Sequence, residues 1–433
     1  MNAFLGMRGN GDWVDNQRPE NWREMILYLY PNGSAPLTAI LSMLASESTN
    51  DPVFHWWTKN LPEQGGAVTG VYTDATLSAA ASATTYPIGT TLYFKVAEAT
   101  ADHFREGHQA MAQKGSDYNF AYVGKVTSVG KNGANSYIGV RLLEEAGSSF
   151  PIASTNAIDV SGNMNPEGAT MPNAISYNPT EYFNYTQIFR TPLSITRTAR
   201  KTRLRTGDAY MEAKREALEL HSIEMEKAFL FSTRFSGTGS NGKPERATMG
   251  LRKFILSQAT SNVSNYPTTP GYGGVNWVTA NGGGEKWLNE QLEKIFRFGN
   301  NQKLALCGNQ ALLALQRLAQ NTADINIQPT TLAYGIRVLE WITPFGTIFL
   351  KTHPLFSYRE ALRRDMLILE PEKLRYRYVD DTFFVEDPQD RRNRNNSRDG
   401  TEEEYITEAG LEFHHPLAFG YLSGLGLDGT TST

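Results

Sequence analysis

The chain has 433 residues, with 41 lysines and arginines against 45 aspartates and glutamates, a formal charge of −4, 40% hydrophobic residues and one cysteine, Cys307. That length can bury a sizeable core in two or three domain-sized units, and the balanced charge creates no global field for nucleic acid or an acidic membrane. A single cysteine excludes an internal disulfide and suits a reducing cytoplasm; no apolar run nears the roughly 20 residues that span a bilayer, and the start from Met1 has no basic leader of a signal peptide.

Residues 1–50 read as an arm. A Gly/Asn-rich start leads to a short helix at about 21–30, a Pro31-Asn32-Gly33 break, and a second helix. Pro36 takes an early helical position there, and Leu37, Ile40, Leu41 and Leu44 form the apolar face. Such pieces make no core alone and must pack on the body or on a neighbouring chain. From 51 to about 191 the character is strand and loop. Gly65, Gly66, Gly70 and the Ser/Ala/Thr run over 77–85 offer few bulky apolar side chains, which predicts an exposed, flexible excursion. Two strand-like segments, 121–129 and 136–143, flank a turn containing Lys131-Asn132-Gly133. With 91–97 they predict a small inserted β-domain over about 86–160, and 181–190 reads as a returning strand.

A basic strip follows: Arg190, Arg197, Arg200, Lys201, Arg203 and Arg205, with no acidic residue among them. As a strand, Arg197 and Arg203 would share one face and Arg200 the other, so the strip is no uniform row. No aromatic side chain lies between Arg190 and Arg205, against a single-strand stacking platform. Pairing within or between chains is favoured over direct DNA contact. Asp208 then opens a helical pattern that persists to about Thr233, a rod of roughly 39 Å at about 1.5 Å per residue. Its carboxylate suits a helix N-terminus. Met211, Leu218, Met225 and Phe229 form one apolar stripe, widened by Tyr210, Ala213, Ala217, Leu220 and Ala228, while Glu212, Glu216, Glu219 and Glu226 line the far side. Arg215 with Glu219, and Glu224 with Lys227, stand at pairing distance.

Beyond a Gly/Ser turn, 249–256 reads as a strand and 261–284 as a loop. A helix at 285–298 buries Leu288, Leu292, Ile295 and Phe296; a strand at 303–307 and a helix at 310–320 follow. Strands are expected at 336–342, 347–351, 366–370 and 374–378. A charged loop over 387–404 carries Arg391, Arg392, Arg394 and Arg398, read as a solvated or inter-subunit tip, ahead of a closing segment at 405–425. Helices and strands mix without a βαβ rhythm, so the fold class is α+β. No repeat of 20–50 residues occurs.

No catalytic constellation emerges. Residues 237–243 match the start of a phosphate-binding loop, but Pro244 stands where a magnesium-binding hydroxyl is needed, and the segment follows a helix and precedes a strand. His103 and His108 flank Glu106 with the wrong spacing for two ligands on one helical face. His414 and His415 are adjacent in a strand-like tract, so they point to opposite faces. Cys307 lies in an apolar strand and reads as a packed, inert thiol. No Gly-x-Ser-x-Gly elbow is present, and no carboxylate pair stands out. The reading is therefore no enzyme, and no catalytic, cofactor-binding or metal-binding residue.

The long helix with its preceding strand and the following 246–251, the Trp56-Trp57 segment 51–57, and the strand turn 341–347 together resemble a tailed-bacteriophage major capsid protein of the Hong Kong phage type. The order and spacing of these segments carry the resemblance, which is good from about Tyr182 to Leu422 and loose before that. It implies an N-terminal arm at 1–50, an extended loop at 51–191 bearing the inserted domain, and a peripheral domain at 192–299 holding the spine helix at about 208–233. An axial domain at 300–404 and a return to the peripheral domain at 405–433 complete it. It further implies self-assembly as hexamers and pentamers into an icosahedral head around double-stranded DNA, in a virion made in a host bacterial cytoplasm. Partners would be other copies, portal and scaffold or decoration proteins, and packaged DNA held non-specifically on the inner face; no membrane and no cofactor enter. An encapsulin-like cargo shell is the alternative on the same fold. A carbohydrate-binding or carbohydrate-acting β protein using Trp56 and Trp57 is a more distant one.

Overall fold

The computed structural model describes residues 46–62, 64–82, 85–114, 117–146, 151–202, 208–279, 283–321, 326–333, 336–387 and 400–427. Both helices expected in the arm, Arg203, Arg205 and the four arginines of 391–398 lie outside these residues. Two units are distinguished, Lys59–Thr180 and the remainder.

In the larger unit, a seven-stranded mixed sheet has the order Val263–Asn265, Gly420–Ser423, Met366–Leu369, Gln302–Cys307, Gly346–Thr352, Ile336–Thr343, Asn326–Ala333. Side chains alternate across a strand, and here both faces are covered. Leu304, Leu306, Phe349, Leu367, Leu369 and Tyr421 enter one core, with Met225, Phe229 and Leu230 of the long helix. Ala305, Cys307, Ile348, Leu350, Met366, Ile368 and Leu422 enter the other, against Trp287, Leu292, Ile295, Leu315 and Leu318. The latter residues come from two helices, Gly284–Phe296 and Asn309–Asn321. Burial on both faces explains why these strands read as continuous apolar runs. At the sheet's end Lys303 is wholly buried, donating to the carbonyls of Ala418 (2.8 Å) and Phe298 (3.1 Å) and facing Glu370 at 3.4 Å.

The long helix runs Ala209–Phe231, and Asp208 accepts from the backbone N–H of Tyr210 at 2.8 Å and Met211 at 3.4 Å. Its buried side chains are not the expected stripe. Met225 and Phe229 are inside, but Met211 is 61% and Leu218 41% exposed. The first half instead seats Ala213 and Ala217 against Leu193 and Tyr405. Small residues let that half lie close to a four-stranded sheet of order Ser46–Ser48, Leu374–Val385, Gly400–Phe413, Gln187–Thr196. The buried face thus rotates along the helix as its partner changes from one sheet to the other.

Two buried histidines lock this arrangement. The ring of His221 lies between the hydroxyls of Thr191 (Nδ1, 2.9 Å) and Thr407 (Nε2, 2.7 Å). Nδ1 of His353 accepts from the backbone N–H of Leu355 at 3.1 Å, which leaves its proton on Nε2 to donate to Glu226 of the long helix at 2.7 Å.

Two expectations need correction in this unit. The strand expected over 249–256 is a helix, Leu251–Gln258, burying Leu251, Phe254 and Ile255 at helical spacing. Gly250 caps it where a Cβ would stand 2.7–2.8 Å from backbone atoms of Ala228, Phe231 and Ser232. The basic strip is no strand past Thr196 either: Arg197–Lys201 is a short helix, with Thr196 Oγ1 accepting from the N–H of Ala199.

The smaller unit is a closed barrel of six antiparallel strands in the order Gly65–Tyr72, Thr91–Val96, Tyr137–Leu142, Asp117–Gly130, His108–Lys114, Ala157–Asn163. Leu92, Phe94, Val96, Ala110, Val126, Ile138, Val140 and Ile158 fill its interior. Register shifts at Val68/Gly70, Gln109/Ala110 and Val126/Ser128 bend the strands toward closure. The glycine segment expected to be an exposed excursion is the barrel's first strand. A Cβ at Gly66 would meet Thr100 at 2.5 Å, and one at Gly65 would meet Asp159 at 1.8 Å, so glycine here marks close backbone approach and not looseness.

Gly250→Ala is expected to lower the unfolding free energy by about 1–3 kcal/mol through backbone displacement, read by urea denaturation. A pH effect follows from His221, whose pKa burial holds below its ordinary value. Below about pH 6.5 the unfolded chain binds a proton that the folded chain refuses, so this contribution to stability falls with acidification. The stability gap between the native chain and His221→Gln should therefore narrow from pH 7 to pH 5 in parallel denaturation series; a constant gap would contradict this account.

Candidate assembly surface

The residues with catalytic chemistry do not converge. Residues 237–243 form the turn of a hairpin between Phe235–Thr238 and Pro244–Ala247. There the N–H of Gly239 donates to Lys243 O and that of Gly242 to Gly239 O, so these amides close the turn and face no ligand. His103 stacks on Tyr177, its Nδ1 3.3 Å from the phenol oxygen, while His108 is buried in the barrel wall. His414 lies 2.6 Å from Glu412, and His415 adopts a left-handed backbone with φ of 52°. Among the described residues no three His, Cys, Asp or Glu side chains gather in a metal-binding group. Cys307 is fully buried, and burial pushes its thiol up to about 12. Trp56 is inside, stacked between Phe54 and Tyr182, while Trp57 on the opposite strand face is 60% exposed. The two indoles therefore do not form one sugar-binding platform.

The described part of the basic strip is engaged within the chain. Arg190 makes a bidentate pair with Glu404, at 2.8 and 2.5 Å, and that carboxylate holds the guanidinium above its ordinary pKa. Arg200 lies 4.6 Å over the ring of Tyr210 and donates to Thr401 Oγ1 at 3.4 Å. Arg197 and Lys201 are exposed on the short helix. The arginine spacing announced a charged surface, but the glutamate partner lay more than 200 residues away and carried no local signal.

Apolar side chains are exposed on this surface too. Along the long helix Met211, Leu218, Leu220 and Ile223 are 61%, 41%, 48% and 38% exposed. On the four-stranded sheet the face away from the helix shows Ile188, Phe383 and Val385 at 59%, 44% and 38%. Single exposed apolar residues are ordinary; clusters on a helix and on a sheet face mark contact surfaces. Such surfaces were not separable in the sequence from core positions, because the same helical and alternating periods produce both.

A curated major capsid protein of Pseudomonas phage PaMx41 is 26% identical over 333 residues, covering 77% of this chain and 72% of that protein. Among solved structures, a Mycobacterium phage Cain chain is similar at 8% identity and TM-score 0.47, covering 96% of this chain and 98% of that one. An encapsulin of Synechococcus elongatus PCC 7942 is similar at 14% identity and TM-score 0.39, covering 59% and 78%. The model of the SU10 major capsid protein family matches residues 8–426, so the chain belongs to that family: it is a structural protein of a phage head shell and not an enzyme.

Proposed function

We propose that this capsid protein assembles as hexamers and pentamers into an icosahedral head around double-stranded DNA, and that it is made in a host bacterial cytoplasm. The observation that carries the reading is the exposed apolar side chains on the two flanks of the long helix, Met211 and Leu218 on one and Leu220 and Ile223 on the other, which suit cover by another chain. Each contact can be modest, since standard interfaces bury about 1,600 Å², while closure multiplies them around the shell. DNA, portal and scaffold or decoration proteins are the further partners. DNA contact would be non-specific and on the inner face, because Arg190 and Arg200 already have partners in the chain. The lone buried thiol suits a reducing site of synthesis, and no helix among the described residues is long and apolar enough to cross a membrane.

We carry the domain division into the same proposal: arm 1–50, extended loop 51–191, peripheral domain 192–299, axial domain 300–404 and return segment 405–433. The long helix falls within the peripheral span. One sheet holds Val263–Asn265, Gln302–Cys307 and Gly420–Ser423, so the peripheral and axial parts would share a core across residue 299.

Negative-stain microscopy and sedimentation of the purified chain test the reading: closed shells or capsomer rings are expected. Leu218→Glu with Ile223→Glu should keep the unfolding transition of the native chain and abolish those assemblies. Normal shells from that variant would remove these two side chains from the contact.

A further inference from the structure

The outward face of the four-stranded sheet has a composition that the shell reading does not itself explain. Three strands meet there in register: Ile188 opposite Glu408, Arg190 opposite Ile406, Pro192 opposite Glu404 and Ser194 opposite Glu402. Across the next pairing, Phe383 stands opposite Ile406, Val385 opposite Glu404 and Asp380 opposite Glu408. Paired residues of antiparallel strands share a face, so Ile188, Ile406, Phe383 and Val385 form an apolar centre. Around it stand Asp380, Glu402, Glu404 and Glu408, with Arg190 the cation on these rows, already bound to Glu404. Farther along, the same face is closed: a Cβ at Gly410 would stand 2.6 Å from Tyr185 O and 3.0 Å from Phe54. Arg377 there is paired with Glu412 and Glu47. The open half is therefore apolar and acidic.

We infer that this face receives residues 388–399 of a second copy of the chain. That segment joins the two central strands of the sheet, Leu374–Val385 and Gly400–Phe413, and carries Arg391, Arg392, Arg394 and Arg398 against Asp390 and Asp399. Its charge complements the face, and the aliphatic stems of arginine suit an apolar centre rimmed by carboxylates. A segment of one subunit entering a face of the next is a heterologous contact, the kind that closes into rings. DNA is a poor occupant, because the carboxylates would repel its phosphates.

The inference rests on the shell reading, and the test separates the two. In the full chain, Asp380→Lys with Glu408→Lys reverses the face, and Arg391→Glu with Arg394→Glu reverses the segment. Each reversal alone should lose shells by sedimentation and microscopy while keeping the native unfolding midpoint; both in one chain should restore them. Native yield from either single reversal, or no recovery in the combined chain, overturns the inference. A second measurement is independent of charge reversal. Arg391→Lys with Arg394→Lys keeps the charge and supplies amines, and a carbodiimide condenses these with touching carboxylates in shells made from mixed ordinary and 15N-labelled chains. Cross-linked peptides joining 391 or 394 to 380, 402 or 408 with mixed labels support the contact. Same-label links only, or none, overturn it while the shells themselves leave the capsid reading intact.

Discussion

Everything in the larger unit depends on the covering of one sheet from both sides. Because alternate side chains of Gln302–Cys307 and Met366–Leu369 enter opposite cores, neither core can loosen without exposing the other. The long helix is tied to this sheet by its second half alone, through Met225, Phe229, Leu230 and the buried Glu226–His353 contact. Its first half rests on the other sheet, through Ala213, Ala217 and the His221 hydrogen bonds. One rigid element thus fixes the relative placement of two sheets, and polar groups at both contacts specify the register. A slip by one turn would leave a buried histidine and carboxylate unpaired, at a cost of about 1–3 kcal/mol or more for each group.

Much of this was legible in the chain because local and tertiary preferences agree. Asp208 marked the start of the long helix, and the apolar runs at 303–307 and 366–370 announced strands. The 121–143 hairpin lies where its alternation and its Asn-Gly turn placed it. The failures share one cause. Leu251, Phe254 and Ile255 have helical spacing, but a short apolar run ahead of a loop fits a strand equally well, and only the clash-limited seat of Gly250 shows why a helix begins there. Gly65 and Gly66 looked like flexibility since close backbone approach and absence of structure both select glycine. Met211 and Leu218 looked like core because their period is that of a buried stripe; what overrides it is how near Ala213 and Ala217 let the helix sit. No catalytic site was expected, and the surface that replaces it cannot be read from periodicity.

The two units treat sheet edges differently. The barrel closes on itself and leaves no edge strand, and its interior is filled by its own side chains. Such a body needs no partner to satisfy its backbone. The four-stranded sheet is open, ending at Gln187–Thr196 on one side, with Pro192 within that edge strand removing a donor that another chain could pair. Contact with neighbours is thereby moved from strand edges to faces, where side chains choose the partner.

That choice matters in a protein that must meet copies of itself in only a few ways. Two identical acidic faces repel, so the open half of the sheet disfavours a two-fold dimer built on itself. An isologous pair would satisfy both apolar centres at once and end growth at two subunits. The ring of carboxylates around Ile188, Ile406 and Phe383 makes that pairing unfavourable while leaving the apolar centre available to a cationic segment of different shape. With no disulfide to trap an early mistake, contacts that are individually weak can dissociate and re-form. Charge then directs which face meets which segment, and burial of the apolar centre supplies the gain once they have met.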